Sequence, residues 1–180
     1  MLFAAVVIPI VRYPQPAIVV IRRAAHLRRN PGQIAFPGGL IDPGDADHRA
    51  AALREFEEEL GVGRDRVRIV DRLDDVVTLS LSVTVTPYVG FLEPPVDFAH
   101  DDAETASVHE IPLADLYEPG ALHRGVEWVE RDGTAVDVPS WLFDHGELHV
   151  WGATARMLAL FVARYPDPSA VIRASRGVNL

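Results

Sequence analysis

The stretch "GGLIDPGDADHRAAALREFEEELGV" occupies residues 38–62, and its reading decides the fold. Two glycines and a loop of Asp, Pro and Gly lead into a helical pattern over about residues 47–60. Asp45 or Asp47 suits the N-cap and Gly61 the C-terminal stop. On a helix turning about 100° per residue, Leu53, Phe56 and Leu60 form the core stripe. Glu55, Glu58 and Glu59, at i, i+3 and i+4, converge on a neighbouring stripe, and Glu57 faces solvent. Like charges at these spacings each cost roughly 0.2–0.5 kcal/mol. Negative charge in the last turn opposes the helix dipole by about 0.3–1 kcal/mol more. Arg54 is adjacent in sequence, but i and i+1 side chains do not face each other, so no basic residue relieves the stripe on this reading. The pattern fits a solvated acidic face or a divalent-cation site. Its one-sidedness, directly after a glycine-rich loop, favours the cation.

The rest of the chain bounds the chemistry. It has 180 residues, 48% of them hydrophobic, enough for one globular domain with a real core. There is no cysteine, so a metal must be held by oxygen or imidazole. Carboxylate donors favour Mg²⁺ or Mn²⁺ over Zn²⁺. The formal net charge of −9 argues against broad binding to nucleic acid or a membrane surface. No apolar run approaches the ~20 residues of a membrane span. The opening MLFAAVVIPI has no basic residue ahead of it and no clear cleavage site, so it reads as a buried strand rather than a signal peptide. A soluble, cytoplasmic protein is expected.

Strands are expected at residues 3–11, 17–23, 33–36, 66–73, 82–92, 104–111 and 147–151. A hairpin over 127–143 is expected to turn at Asp132-Gly133. Residues 24–33 read as a basic loop, and Pro37-Gly38-Gly39 as the end of a short strand. Residues 151–166 read as an amphipathic helix stopped before Pro166, with the final residues frayed. Trp128, Trp141 and Trp151 read as core or interface residues. Strands interrupted by two helices predict a single α/β domain with helices on a mixed sheet.

Residues 54–62, Arg-Glu-Phe-Glu-Glu-Glu-Leu-Gly-Val, resemble the second half of the signature of the Nudix hydrolases. The first half departs from it. Asp45 stands where the family has Glu, and the spacer to Arg54 is one residue longer than usual. That departure bears on the partnership of this acid with Arg54, which in the family braces loop against helix. A second segment, "VVIRRAAHLRRNPGQIAFPGG" (19–39), resembles the extra motif of the coenzyme A pyrophosphatase branch. Val19, Val20, Arg23, Leu27, Arg28, Gly32, Phe36, Pro37, Gly38 and Gly39 fall in register, while Ile21 replaces Thr and Ala24 stands where Ser is common. The segments 85–90, 104–113 and 150–157 are similar to parts of the same branch.

The resemblance implies the Nudix α/β/α sandwich, a mixed sheet with helices on both faces, spanning residues 1–180 as one domain. It also implies metal-dependent hydrolysis of the diphosphate in CoA or its thioesters. Glu55 and Glu59 are then the primary metal ligands, Glu58 the third, and the Gly39 carbonyl a backbone ligand. Glu58 or Glu104 serves as general base, with Asp101 and Asp102 as neighbouring candidates. Arg54 is the bracing arginine of the catalytic helix. Arg23 and Arg28 suit substrate phosphates, and Gly38 and Gly39 let the backbone approach them. Another nucleoside diphosphate derivative, such as NADH, ADP-ribose or an oxidised nucleotide, is the alternative substrate, and a non-catalytic sensing module the alternative class. The expected partner is a small-molecule substrate, with a homodimer left open.

Overall fold

The segment LFAAVVIPIV has no polar alternation, as expected of a strand covered on both faces. It forms β1 (Leu2–Val11), the middle of the larger sheet. The computed structural model describes residues 2–12, 14–78, 83–100, 103–131 and 133–177. Among them, β1 is followed by β2 (Ala17–Arg23), β3 (Ile34–Ala35), β4 (Gly38–Leu40), α1 (His48–Leu60), β5 (Val67–Arg72), β6 (Val76–Val77), β7 (Val83–Leu92) and β8 (Thr105–Pro112). A short helix α2 (Leu113–Leu116) leads to β9 (Leu122–Arg131), β10 (Thr134–His145), β11 (Leu148–Trp151), α3 (Gly152–Arg164) and α4 (Pro168–Ser175).

The larger sheet runs β3-β2-β1-β7-β5, with β4 added to β1, β6 to β7 and β8 to β2. The β1–β7 pair is parallel, from Leu2 opposite Val83 to Ile10 opposite Phe91, and the other pairs are antiparallel. The period-2 alternation of β1 splits the core in two. Ala4, Val6, Ile8 and Ile10 face one cluster with Leu158, Phe161 and Val171 of α3 and α4. Ala5, Val7 and Val11 face the other, with Ala51, Ala52, Phe56 and Leu60 of α1. The expected α/β/α sandwich with helices on both faces is therefore present. A smaller antiparallel sheet, β11-β10-β9, stands beside it. No helix among the described residues is long and apolar enough to cross a membrane.

Several local expectations differ from the structure. Leu53 is only partly buried, and the inner face of α1 is Ala51, Ala52, Phe56, Glu59 and Leu60. Small alanines there let the helix lie close to the sheet. Gly38-Gly39 does not end a strand but forms one, β4, against Ala4–Val6 of β1. Residues 167–177 are not frayed: Asp167 caps α4 by accepting from the Ala170 N–H at 2.8 Å, with Pro168 in the first turn, and residues 178–180 lie outside the described residues. Of the core and interface readings of Trp128, its 72% exposure on β9 leaves only the second. The hairpin is longer than expected, spanning β9 and β10. Ser82, expected to start a strand, and Asp132, expected in the hairpin turn, lie outside the described residues.

Candidate active site

Two caps fix the length of α1. Asp47 accepts from the Ala50 N–H at 2.7 Å, and Gly61, at φ 64°, returns its N–H to the Glu57 carbonyl. The helix start is anchored to β7, where His48 Nδ1 lies 3.0 Å from Thr86 Oγ1. With Phe56 and Leu60 seated in the core, the helix period turns Glu59 inward beside them. Glu59 is 2% exposed, and its Oε2 accepts from the Gly38 N–H at 2.9 Å. Arg23 follows Val19 and Ile21 on the face of β2 that meets α1. Its Nη1 lies 3.7 Å from Glu59 Oε1. Burial pushes the Glu59 pKa up to about 7; the Gly38 hydrogen bond and Arg23 oppose the shift, and the charges of Glu55 and Glu104 add to it.

In metal-free protein the native state therefore keeps a proton on Glu59 that the unfolded state has already released. Stability falls as pH rises from the unfolded value of 4.5 to about 7, and the loss is complete above that. At about 1.4 kcal/mol per pH unit the fall is on the order of 3 kcal/mol. Denaturant unfolding in EDTA between about pH 5 and about pH 8 should show this decline, and Glu59→Gln should remove most of it. The same decline in the variant would reject this account of Glu59.

Glu55, one turn before Glu59, presses on Gly39. A Cβ at Gly39 would strike the Glu55 carboxylate, and one at Gly38, where φ is 152°, would strike the Ala5 carbonyl and Val6 Cα. The two glycines thus let β4 slide between β1 and the acidic face of α1. Burial raises the Glu55 pKa, Arg54 opposes the shift, and the charges of Glu58 and Glu104 reinforce it.

Arg54 corrects the expectation that nothing relieves the acidic stripe. Its Nη1 donates to Glu55 Oε1 at 2.8 Å and to Glu58 Oε2 at 3.1 Å. Its Nε and Nη2 grip Asp45 in a two-pronged pair, both at 3.0 Å, and Nη2 also reaches the Leu40 carbonyl. Glu58 is an i, i+4 partner of Arg54, a spacing the sequence displayed. The long guanidinium also bends back to its neighbour Glu55. Asp45 fills the role of the longer Glu despite the extra loop residue, and its pKa is lowered by Arg54.

The three glutamates therefore do not point at one spot. Glu59 is enclosed, Glu55 partly so, and Glu58 is 58% exposed and tied to Arg54. Among the described residues, no three acidic or histidine side chains close round a single point. The donor set still fits a hard divalent cation, because Glu59 and Glu55 are enclosed carboxylates of raised pKa that repel each other. A cation there would take over the counter-charge now given by Arg54 and Arg23.

Glu104 lies on the loop before β8, near enough for its charge to act on Glu55 and Glu59. Its carbonyl accepts from the Ala24 N–H at 2.9 Å, which fixes this loop to the basic segment. Asp101 and Asp102 lie outside the described residues. Arg23 Nε is buried with no hydrogen-bond partner among the described residues. A cavity of about 510 Å³ opens beside these groups, bordered by Arg23, Arg29, Gly38 and Gly39. Arg124, Trp141, Trp151 and Arg156 also line it. Arg28 is exposed and absent from this lining, where its neighbour Arg29 stands instead. Sequence reasoning missed the tryptophans and Arg124 as lining residues. Their one signal, Arg124 directly opposite Trp141, exists only once the β9–β10 register is known.

A NUDIX domain model matches residues 1–131. The Nudix hydrolase NudL of Escherichia coli strain K12 is 39% identical over 166 residues, 91% of this chain and 84% of that protein. Among solved structures, a MutT/nudix family protein from Enterococcus faecalis superposes with a TM-score of 0.61 at 16% identity, covering 95% of this chain and 66% of that one. An Ap4A hydrolase of C. elegans superposes with a TM-score of 0.54 at 20% identity, covering 64% and 82%. At such identities the two structures speak for the fold alone. The domain match takes in β1 to β9 and the whole of α1, and the likeness to NudL extends over nearly the full length, so this chain belongs to the Nudix hydrolase family.

Proposed function

We propose that this Nudix hydrolase cleaves the diphosphate of coenzyme A or its thioesters, releasing 3′,5′-ADP and (acyl-)4′-phosphopantetheine. One observation carries the reading: the 19–39 segment that resembles the CoA-type motif supplies Arg23, Gly38 and Gly39, which border the cavity beside Glu55 and Glu59. Nudix hydrolases generally use divalent metal ions. Bound Mg²⁺ or Mn²⁺ would supply charge neutralisation and an acidified water.

In this reading Glu55, Glu59 and the Gly39 carbonyl would hold the ion, as would Glu58 once released from Arg54. Arg23, whose buried Nε has no partner among the described residues, turns from Glu59 to a phosphate oxygen. Arg28, on the exposed loop, meets the outlying ribose phosphate. A water oxygen attacks phosphorus, its proton passes to a carboxylate oxygen of Glu58 or Glu104, and the bridging P–O bond breaks. Arg54 keeps the Asp45 loop and α1 in register during this exchange. Residues 1–180 act as one domain, in the cytoplasm.

A second reading, hydrolysis of another nucleoside diphosphate derivative, draws on the fold shared with an Ap4A hydrolase. Hydrolysis rates of CoA, NADH, ADP-ribose and a dinucleoside tetraphosphate, each with Mg²⁺ and with Mn²⁺, separate the two. CoA should be cleaved fastest, with 3′,5′-ADP as a product. A strong preference for ADP-ribose or the tetraphosphate would overturn the substrate assignment. Binding of CoA without release of 3′,5′-ADP would instead support a sensing module.

A further inference from the structure

β9 is the outer strand of the smaller sheet, and among the described residues it pairs with β10 alone. Such an edge is a ready template for another strand, and proteins commonly blunt it with charge, proline or a covering element. Here it is dressed differently. Along one face of β9 lie Arg124, Val126, Trp128 and Glu130, all exposed, with Val126 at 49% and Trp128 at 72%. Two of these four are large and apolar.

The backbone of the same residues points to the free edge. Val126 lies opposite Pro139 of β10. Proline has no N–H, so a partner strand on its backbone side would lose a ladder bond. β11 reaches only Leu142–His145 of β10, which leaves the far side of Pro139 without a strand among the described residues. Pro139 therefore directs its backbone away from β9, and the Val126–Pro139 pair is a non-hydrogen-bonded one. It follows that Val126, and by alternation Arg124, Trp128 and Glu130, present their N–H and C=O groups outward.

We propose that two copies of this chain pair through β9, antiparallel about a two-fold axis at Glu127, joining two three-stranded sheets into one of six. The order of residues selects this partner. In that register Arg124 faces Glu130 of the second copy, Val126 faces its Trp128, and the reverse contacts complete the set. A two-fold interface must be self-complementary in this way. Opposite charges and an aromatic against a β-branched residue are favourable cross-strand pairs. The Arg124 guanidinium sits over Trp141 on the neighbouring strand, 5.3 Å from the ring centroid, which holds it along this face. The two Glu127 side chains, which meet at the axis, are each already paired with His149 of their own chain at 2.8 Å. The hairpin also lines the cavity through Val129, Val138 and Trp141, so pairing would brace one wall of the site.

Sedimentation velocity across a concentration series tests the pairing, with far-UV circular dichroism confirming that each variant is folded. The native chain should dimerise. Arg124→Glu and Glu130→Arg, each placing like charges face to face twice per interface, should weaken the dimer at least about tenfold. The double variant restores opposite charges in the same register and should recover it. Trp128→Ala, at a side chain that touches little within its own chain, should also shift the population to monomer. A native chain that stays monomeric at every concentration would overturn the proposal. So would a dimer that survives Trp128→Ala and both charge reversals, or a double variant that does not recover.

Discussion

Glu59→Gln is expected to lower turnover at least ~100-fold while the protein stays folded. Removing a residue that merely hydrogen-bonds to a metal ligand already costs about 10–100-fold, and Glu59 is proposed as a ligand itself. Glutamine keeps the shape of the side chain, and its amide oxygen can accept the Gly38 N–H as the carboxylate does at 2.9 Å. What it removes is the charge. A buried carboxylate with a pKa of about 7 opposes folding at neutral pH unless a cation offsets it, so the fold has little to lose. A melting temperature within about 5 °C of native would be consistent with that. Normal activity in this variant would remove Glu59 from the metal site.

Gly38→Ala and Gly39→Ala should part company, although the two residues are adjacent. At Gly38 the new methyl meets backbone, the Ala5 carbonyl and Val6 Cα, in the central strand of the larger sheet. Neither can yield without breaking the β1–β4 pairing, and the positive φ adds strain. Overpacking and the unfavourable backbone together should destabilise by roughly 3–5 kcal/mol. At Gly39 the atoms nearest the methyl are those of the Glu55 carboxylate, the far end of a flexible side chain. That group can swing away, so stability should change by less than about 1.5 kcal/mol while activity collapses with the displaced Glu55. Chemical denaturation beside a turnover assay distinguishes the two. Equal destabilisation would mean that Gly39, like Gly38, serves the fold rather than the site.

The helix that carries the site was legible because local signals agreed. Phe56, Leu60 and Gly61 mark its inner face and its end by period and cap chemistry alone, and Asp47 is one of the two N-caps that the sequence offers. β1 and the first five residues of β2 declared themselves as apolar runs, whereas the parallel pairing of β1 with β7 shows only in the sheet register. Arg54 was misjudged because spacing rules describe where a side chain starts, not where a long guanidinium ends. Its i, i+4 relation to Glu58 was visible all the same. β4 was hidden because glycine ordinarily signals a turn, and only the closeness of β1 and α1 explains two glycines in a strand. Asp167-Pro168 is a helix start that could have been read. The cavity lining could not, since Arg124, Trp141 and Arg156 meet only through tertiary structure.

Binding of Mn²⁺ followed by electron paramagnetic resonance, in native protein and in Glu59→Gln without substrate, tests the metal site most directly. The free-ion signal should be depleted in the native protein near neutral pH, and at least about tenfold more Mn²⁺ should be needed for the same depletion in the variant. Equal depletion in both proteins, or none in either, would contradict a cation site on α1.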